Sequence, residues 1–170
     1  MPGKDRTGVL RGAMGTAAVA AIGLALAACS GAKTTVENSA AQPVKVAAIT
    51  LQEARPTVDC PPEVVEQLRE KLTAKLYKPG GFGKGNNLKL TYRVVEFNGG
   101  DGSSRWSFNN VSGKGGALTV EAIYTDRRGK EVAKISSAGT VGSSLMGGSI
   151  DKAIDKVTDE VADYTAKNFK

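Results

Sequence analysis

The chain contains no histidine, and only two of its 170 residues are cysteine. The first absence removes the commonest general base, the histidine-based nucleophilic triads and zinc sites built on imidazole. Aromatic residues make up 5% of the chain, with a single tryptophan, so the basic residues are not interleaved with base-stacking rings and nucleic acid is not an expected partner. Long hydrophobic runs are scarce as well. The uncharged stretch GAMGTAAVAAIGLALAA, Gly12 to Ala28, is mostly Ala and Gly, where a membrane span needs ~20 strongly apolar residues.

What that stretch does have is context. Lys4, Arg6 and Arg11 precede it against one acid, Asp5, and small residues end it. A basic flank, a short apolar run and a small-residue end form a secretory signal. The closing Leu26-Ala27-Ala28-Cys29 resembles the bacterial lipobox. That resemblance implies cleavage between Ala28 and Cys29, with Cys29 carrying diacylglycerol and a further acyl chain such as palmitate. Several acyl chains on one residue give stable attachment where a single chain does not. A plain signal peptide with an incidental cysteine, or a weak membrane anchor, is the alternative. Ser30 stands where inner-membrane retention resembles Asp, which points to the periplasmic face of the outer membrane if the host is Gram-negative.

Removing residues 1–28 leaves 142 residues, enough for one domain with its own core. The formal charge falls from +6 to +4, since three basic residues and one acid leave with the signal. An excess of that size implies at most mild attraction to anionic envelope polymers or headgroups. With Cys29 lipidated, Cys60 has no partner within the chain, so it is free or paired intermolecularly. Its place before Pro61 and Pro62 at a helix start would favour a lowered thiol pKa, but a nucleophilic cysteine usually also needs a base. A structural role is the simpler reading.

Residues 30–42, SGAKTTVENSAAQ, are small, polar and aperiodic and read as a flexible tether, so the boundaries are signal 1–28, tether 29–42 and domain 43–170. VKVAAITL, Val44 to Leu51, reads as a buried strand. PPEVVEQLREKLTAKLY reads as a helix with Val65, Leu68, Leu72 and Leu76 on its apolar stripe, and Lys78 to Asn87 as the following loop. LKLTYRVVEF and ALTVEAIYTD alternate as half-buried strands, with RWSF (105–108) as a brief pairing between them. Asp126-Arg127-Arg128-Gly129 predicts a tight hairpin connection into KEVAKISSAG, with Gly129 at positive φ. The last helix has Ser149 as its cap, Ile150, Ile154, Val157, Val161 and Tyr164 on its apolar stripe, and Lys156–Glu160 and Asp163–Lys167 as exposed four-residue pairs. The order β-α-β-(β)-β-β-α predicts a single α+β domain, a mainly antiparallel sheet packed against two amphipathic helices.

No stretch specifies a reaction. Asp151, Asp155 and Asp159 fall on the polar face of the last helix among lysines, the ordinary dress of a solvated face. GGFGKGNN and SGKGGALT do not fit the phosphate-loop pattern, and the second leads into a strand rather than a helix, so flexible turns suffice. AGTVGSSLMGG is too short and polar for a span. No metal site or cofactor is expected.

Taken together, Arg105, GKGGALTVEAIYTDRRGKEVAK, the GTVG segment and the terminal helix resemble the bacterial lipoprotein-associated family known as domain of unknown function 4410. The residues carrying the likeness are Arg105, Gly113, Gly115, Gly116, Asp126, Gly129 and Gly142. It implies an envelope location and supplies no active site. More loosely, the element order resembles small envelope lipoproteins that dock onto periplasmic assemblies. The leading expectation is a lipid-anchored, non-catalytic binding or assembly-supporting module, its partners the membrane and envelope proteins or peptidoglycan, with Arg105, Arg127 and Arg128 as candidate contacts. The competing expectation is an envelope enzyme using carboxylate, Lys or Tyr chemistry.

Overall fold

Alternation of apolar and polar residues builds the centre of the molecule. In a computed structural model, which describes residues 32–39, 45–99, 117–140 and 150–170, Leu88–Asn98 and Ala117–Asp126 form long neighbouring strands. They bring Leu90 opposite Tyr124, Tyr92 opposite Ala122 and Val94 opposite Val120, all buried. In chain order the elements are β1 (Ala32–Ser39), β2 (Ala48–Glu53), α1 (Pro62–Leu76), β3 (Gly83–Lys84), β4 (Leu88–Asn98), β5 (Ala117–Asp126), β6 (Glu131–Thr140) and α2 (Ile150–Phe169). The sheet order is β1-β6-β5-β4-β2-β3. β1, β6, β5 and β4 pair antiparallel, and β2 runs parallel to both β4 and β3. The α+β expectation holds, with a mixed six-stranded sheet and a β-α-β crossover at one side.

Both helices supply side chains to one core. α1 begins at Pro62, where a missing N–H costs no intrahelical bond, and buries Val64, Leu68, Leu72 and Leu76. The expected stripe is corrected at its first position: Val64 is buried and Val65 only half-buried. α2 buries Ile150, Ala153, Ile154, Val157, Thr158, Val161, Thr165 and Phe169, a wider stripe than the apolar residues alone mark. Tyr164 is half-buried at its margin. Thr158 and Thr165 can sit in the core because each hydroxyl donates to a backbone carbonyl of its own helix, Asp155 and Val161 respectively. Thr165 also bonds the Tyr124 hydroxyl at 2.9 Å, and the Tyr124 ring stacks on Phe169 at 4.8 Å. Each such buried aliphatic side chain contributes roughly 1.5–3 kcal/mol.

The stretch expected to be a flexible tether contains β1, so the boundary at Pro43 is corrected: the sheet starts at Ala32. Thr34, Thr35 and Val36 can pair because β6 offers a free edge, a requirement that local composition does not reveal. Val36, 42% exposed, is the large hydrophobic left uncovered among the described residues. The first central strand runs Ala48–Glu53 rather than from Val44, and the expected loop after α1 holds the two-residue β3. RWSF, Ser149 and the glycines at 113, 115, 116 and 142 lie outside the described residues.

The candidate functional site

Because β3 is two residues long, it covers β2 only at Ala48 and Ile49. Beyond it, between the edge of β2 and α1, opens a groove of about 360 Å³, within the size range of ligand sites. Tyr77, the residue that caps α1, turns its ring into this groove. Its hydroxyl accepts from the Leu51 N–H and donates to the Ile49 carbonyl, each at 3.1 Å, so a side chain replaces the missing strand. Lys84 lies over the Tyr77 ring at 5.7 Å. At the other wall the buried Tyr92 donates its hydroxyl to Glu53 at 3.2 Å. Burial pushes the Tyr92 phenol well above its usual range; the charge and hydrogen bond of Glu53 add to this, and the Arg69 guanidinium opposes it. Tyr92 is therefore a neutral hydrogen-bonding group near pH 7. Thr50, Thr73 and Arg69 complete a lining that can hold a polar ligand by hydrogen bonds and charge.

A second charged cluster lies on the sheet face away from the helices. Glu121 in β5 is 7% exposed, yet it is fully paired. Arg93 donates to Oε1 from Nε at 2.7 Å and Nη2 at 2.6 Å, and Lys134 donates to Oε2 at 2.8 Å. Lys134 also reaches Glu37 at 2.9 Å, so alternating charges stitch β4, β5, β6 and β1 together. Burial alone would raise the Glu121 pKa; the hydrogen bonds and charges of Lys134 and Arg93 outweigh it and leave it below the usual value. This cluster orders the sheet and places β1.

Ala28, Cys29 and Arg105 lie outside the described residues. Arg127 and Arg128 stand at the β5–β6 hairpin, where Gly129 has φ +79° as its sequence position predicted. Asp126 fixes that turn: its Oδ1 accepts from the N–H groups of Arg128 and Lys130. Arg127 is not simply free at the tip, because its Nη2 donates to Asn87 Oδ1 at 2.5 Å. The Asp155 and Asp159 carboxylates are partly solvated, but they hold α2 to α1 by ion pairs with Lys71 and Lys75. Glu160, expected to pair along its helix with Lys156, accepts from Thr34 of β1 at 2.9 Å. Cys60 is half-buried; burial first, and then the charge of Asp59, push its thiol up to about 11, against the helix-start effect. No group of three His, Cys, Asp or Glu side chains suited to a metal occurs among the described residues. Sequence reasoning missed Glu53, Tyr77 and Lys84, which converge only through the crossover and carry no motif.

No protein-family pattern matches the chain, and the resemblance to domain of unknown function 4410 gains no support there. No curated protein matches it either. Among solved structures the fold is similar to the PelC dodecamer from Paraburkholderia phytofirmans, at 12% identity and a TM-score of 0.55, covering 82% of this chain and 99% of that one. A point variant of that dodecamer gives 11% identity and a TM-score of 0.49, covering 77% of this chain and 95% of that one. A minor lipoprotein from Acinetobacter baumannii gives 16% identity and a TM-score of 0.37, covering 70% of this chain and 93% of that one. At these identities the PelC likeness speaks for the fold alone, a mixed sheet with two helices built on β-α-β then β-β-α.

Proposed function

We propose that the chain is a lipid-anchored protein of the bacterial cell envelope whose α+β domain works as a non-catalytic binding or assembly module. The observation that carries this is the run Leu26-Ala27-Ala28-Cys29 behind a basic flank and a short apolar stretch. No helix among the described residues is long and apolar enough to cross a membrane. Several acyl chains on Cys29 would give the domain a stable attachment to one. The groove beside β2 supplies polar groups suited to recognition, and the solved dodecamer of similar fold makes self-association one form that an assembly role would take.

The test is metabolic labelling with a fatty acid. The wild-type precursor takes up label and its mature form, cut before Cys29, partitions with membranes; Cys29→Ala does neither. A wild-type protein that remains unlabelled and soluble would overturn the reading. Light scattering of the detergent-solubilised mature chain then reports whether it is a monomer or an oligomer.

A further inference from the structure

The strands carry the chain between two ends with different charge. β1 starts at Ala32, three residues after Cys29, and pairs there with Gly139 near the end of β6. Three residues span at most about 10 Å, so an anchored Cys29 keeps this end of the sheet near the membrane. β6 runs ten residues, about 33 Å, to the opposite end. That far end joins the β5–β6 hairpin, the start of β4, β3 and the C-termini of both helices. Three contacts tie it into one surface: Arg127 to Asn87, the Val46 N–H to the Phe169 carbonyl at 2.8 Å, and Lys170 Nζ to the Gly81 carbonyl at 3.0 Å.

The far end is strongly basic. The hairpin exposes Arg127, Arg128 and Lys130; β3 and β4 expose Lys84 and Lys89. Lys78, Lys167 and Lys170 follow at the ends of the helices. Of the acids there, Asp126 is spent on the turn, Glu131 accepts from Asn38, and Asp163 stands higher on α2. The described residues at the anchored end are mixed, with Glu63, Glu96 and Asp151 against Lys33, Arg55 and Lys152. Complementing the helix dipoles accounts for Lys75 and Lys167 in the last turns, but not for the cations of the hairpin, β3 and β4.

We propose that this far end is a binding surface for an anionic glycan chain. The orientation of the surface rests on the anchoring proposed above; the binding does not. With the sheet standing away from the anchor along β6, this end would lie about 33 Å out, beyond the ~8–10 Å over which headgroup charges act. A folded protein partner would call for apolar or aromatic anchors, and Val36, the exposed large hydrophobic among the described residues, is on β1 rather than here. Flexible lysines without stacking rings suit a charged chain that is read by its charge density, and they offer little to a nucleic-acid base. The test titrates the purified mature chain with polygalacturonate, with neutral dextran and single-stranded DNA as further probes. Binding to polygalacturonate is expected to weaken about tenfold between 50 and 200 mM salt, with none to dextran. The variant Lys84→Gln, Lys89→Gln, Arg128→Ser, Lys130→Gln is expected to lose binding about tenfold, while Lys33→Gln, Arg55→Gln, Lys152→Gln, Lys156→Gln, which removes the same charge elsewhere, stays within about twofold. Equal losses in both variants, binding of dextran, or preference for DNA would overturn the proposal. Should the first variant fail to unfold cooperatively, Arg128→Ser and Lys130→Gln are read singly, and unchanged binding in both overturns it too. A Cys29→Ala chain that is unlabelled but binds polygalacturonate separates this surface from the anchor.

Discussion

Gly139 of β6 lies directly beneath Ala153 of α2: a Cβ on Gly139 would stand 2.8 Å from the Ala153 carbonyl oxygen and 2.9 Å from Val157 Cγ2. The helix therefore seats on the sheet at a point where backbone meets backbone. Gly139→Val is expected to destabilise the domain by about 1–3 kcal/mol through overpacking, read as a lower urea midpoint at unchanged slope. A midpoint equal to wild type would mean that α2 does not sit there.

Gly129 poses the opposite case. A Cβ there meets nothing within 4 Å, so only its φ of +79° resists a side chain. Gly129→Val should cost about 1–3 kcal/mol and Gly129→Asn clearly less, because Asn tolerates the left-handed region. Equal losses in the two variants would argue for a packing cause instead.

The Glu121 cluster predicts acid sensitivity. Its folded-state pKa lies below the ordinary value, so the carboxylate stabilises the fold above the unfolded-state pKa of about 4.3, and that contribution is lost as pH falls through the folded-state pKa. Glu121→Gln should lower the thermal midpoint at pH 7 and flatten its decline on the acid side. A variant whose acid-side profile runs parallel to wild type would show that the pairing contributes nothing titratable.

Cys60 should react slowly. With its thiol at about 11, the thiolate is scarce at pH 8, and iodoacetamide labelling of the native chain should be much slower than that of the unfolded chain and accelerate as pH approaches 11. Cys60→Ser should keep a single cooperative unfolding transition. Rapid labelling of native protein at pH 7 would contradict the buried thiol.

What the residues determined alone is what depends on near neighbours. The three- and four-residue steps of α1 and α2, the alternation of β4 and β5, and the turn chemistry of Asp126 and Gly129 each set a local conformation, and the α+β class followed from their order. The basic flank, the short apolar run and Leu26-Ala27-Ala28-Cys29, on which the anchoring proposal rests, are likewise linear features. Tertiary structure decided what depends on which edge is free and which register is adopted. β1 is a polar segment that becomes a strand only because β6 leaves an edge open and Lys134 and Thr34 meet Glu37 and Glu160 across it. Tyr77 becomes a sheet partner only because β3 stops after two residues, and Glu121 tolerates burial only because Arg93 and Lys134 flank it from neighbouring strands. Even the basic end is spread over separate stretches of sequence, from Lys78 to Lys170, and gathers only because the β5–β6 hairpin, the start of β4, β3 and the C-termini of both helices meet at the same side. Such pairings join residues tens of positions apart, and no local preference specifies them.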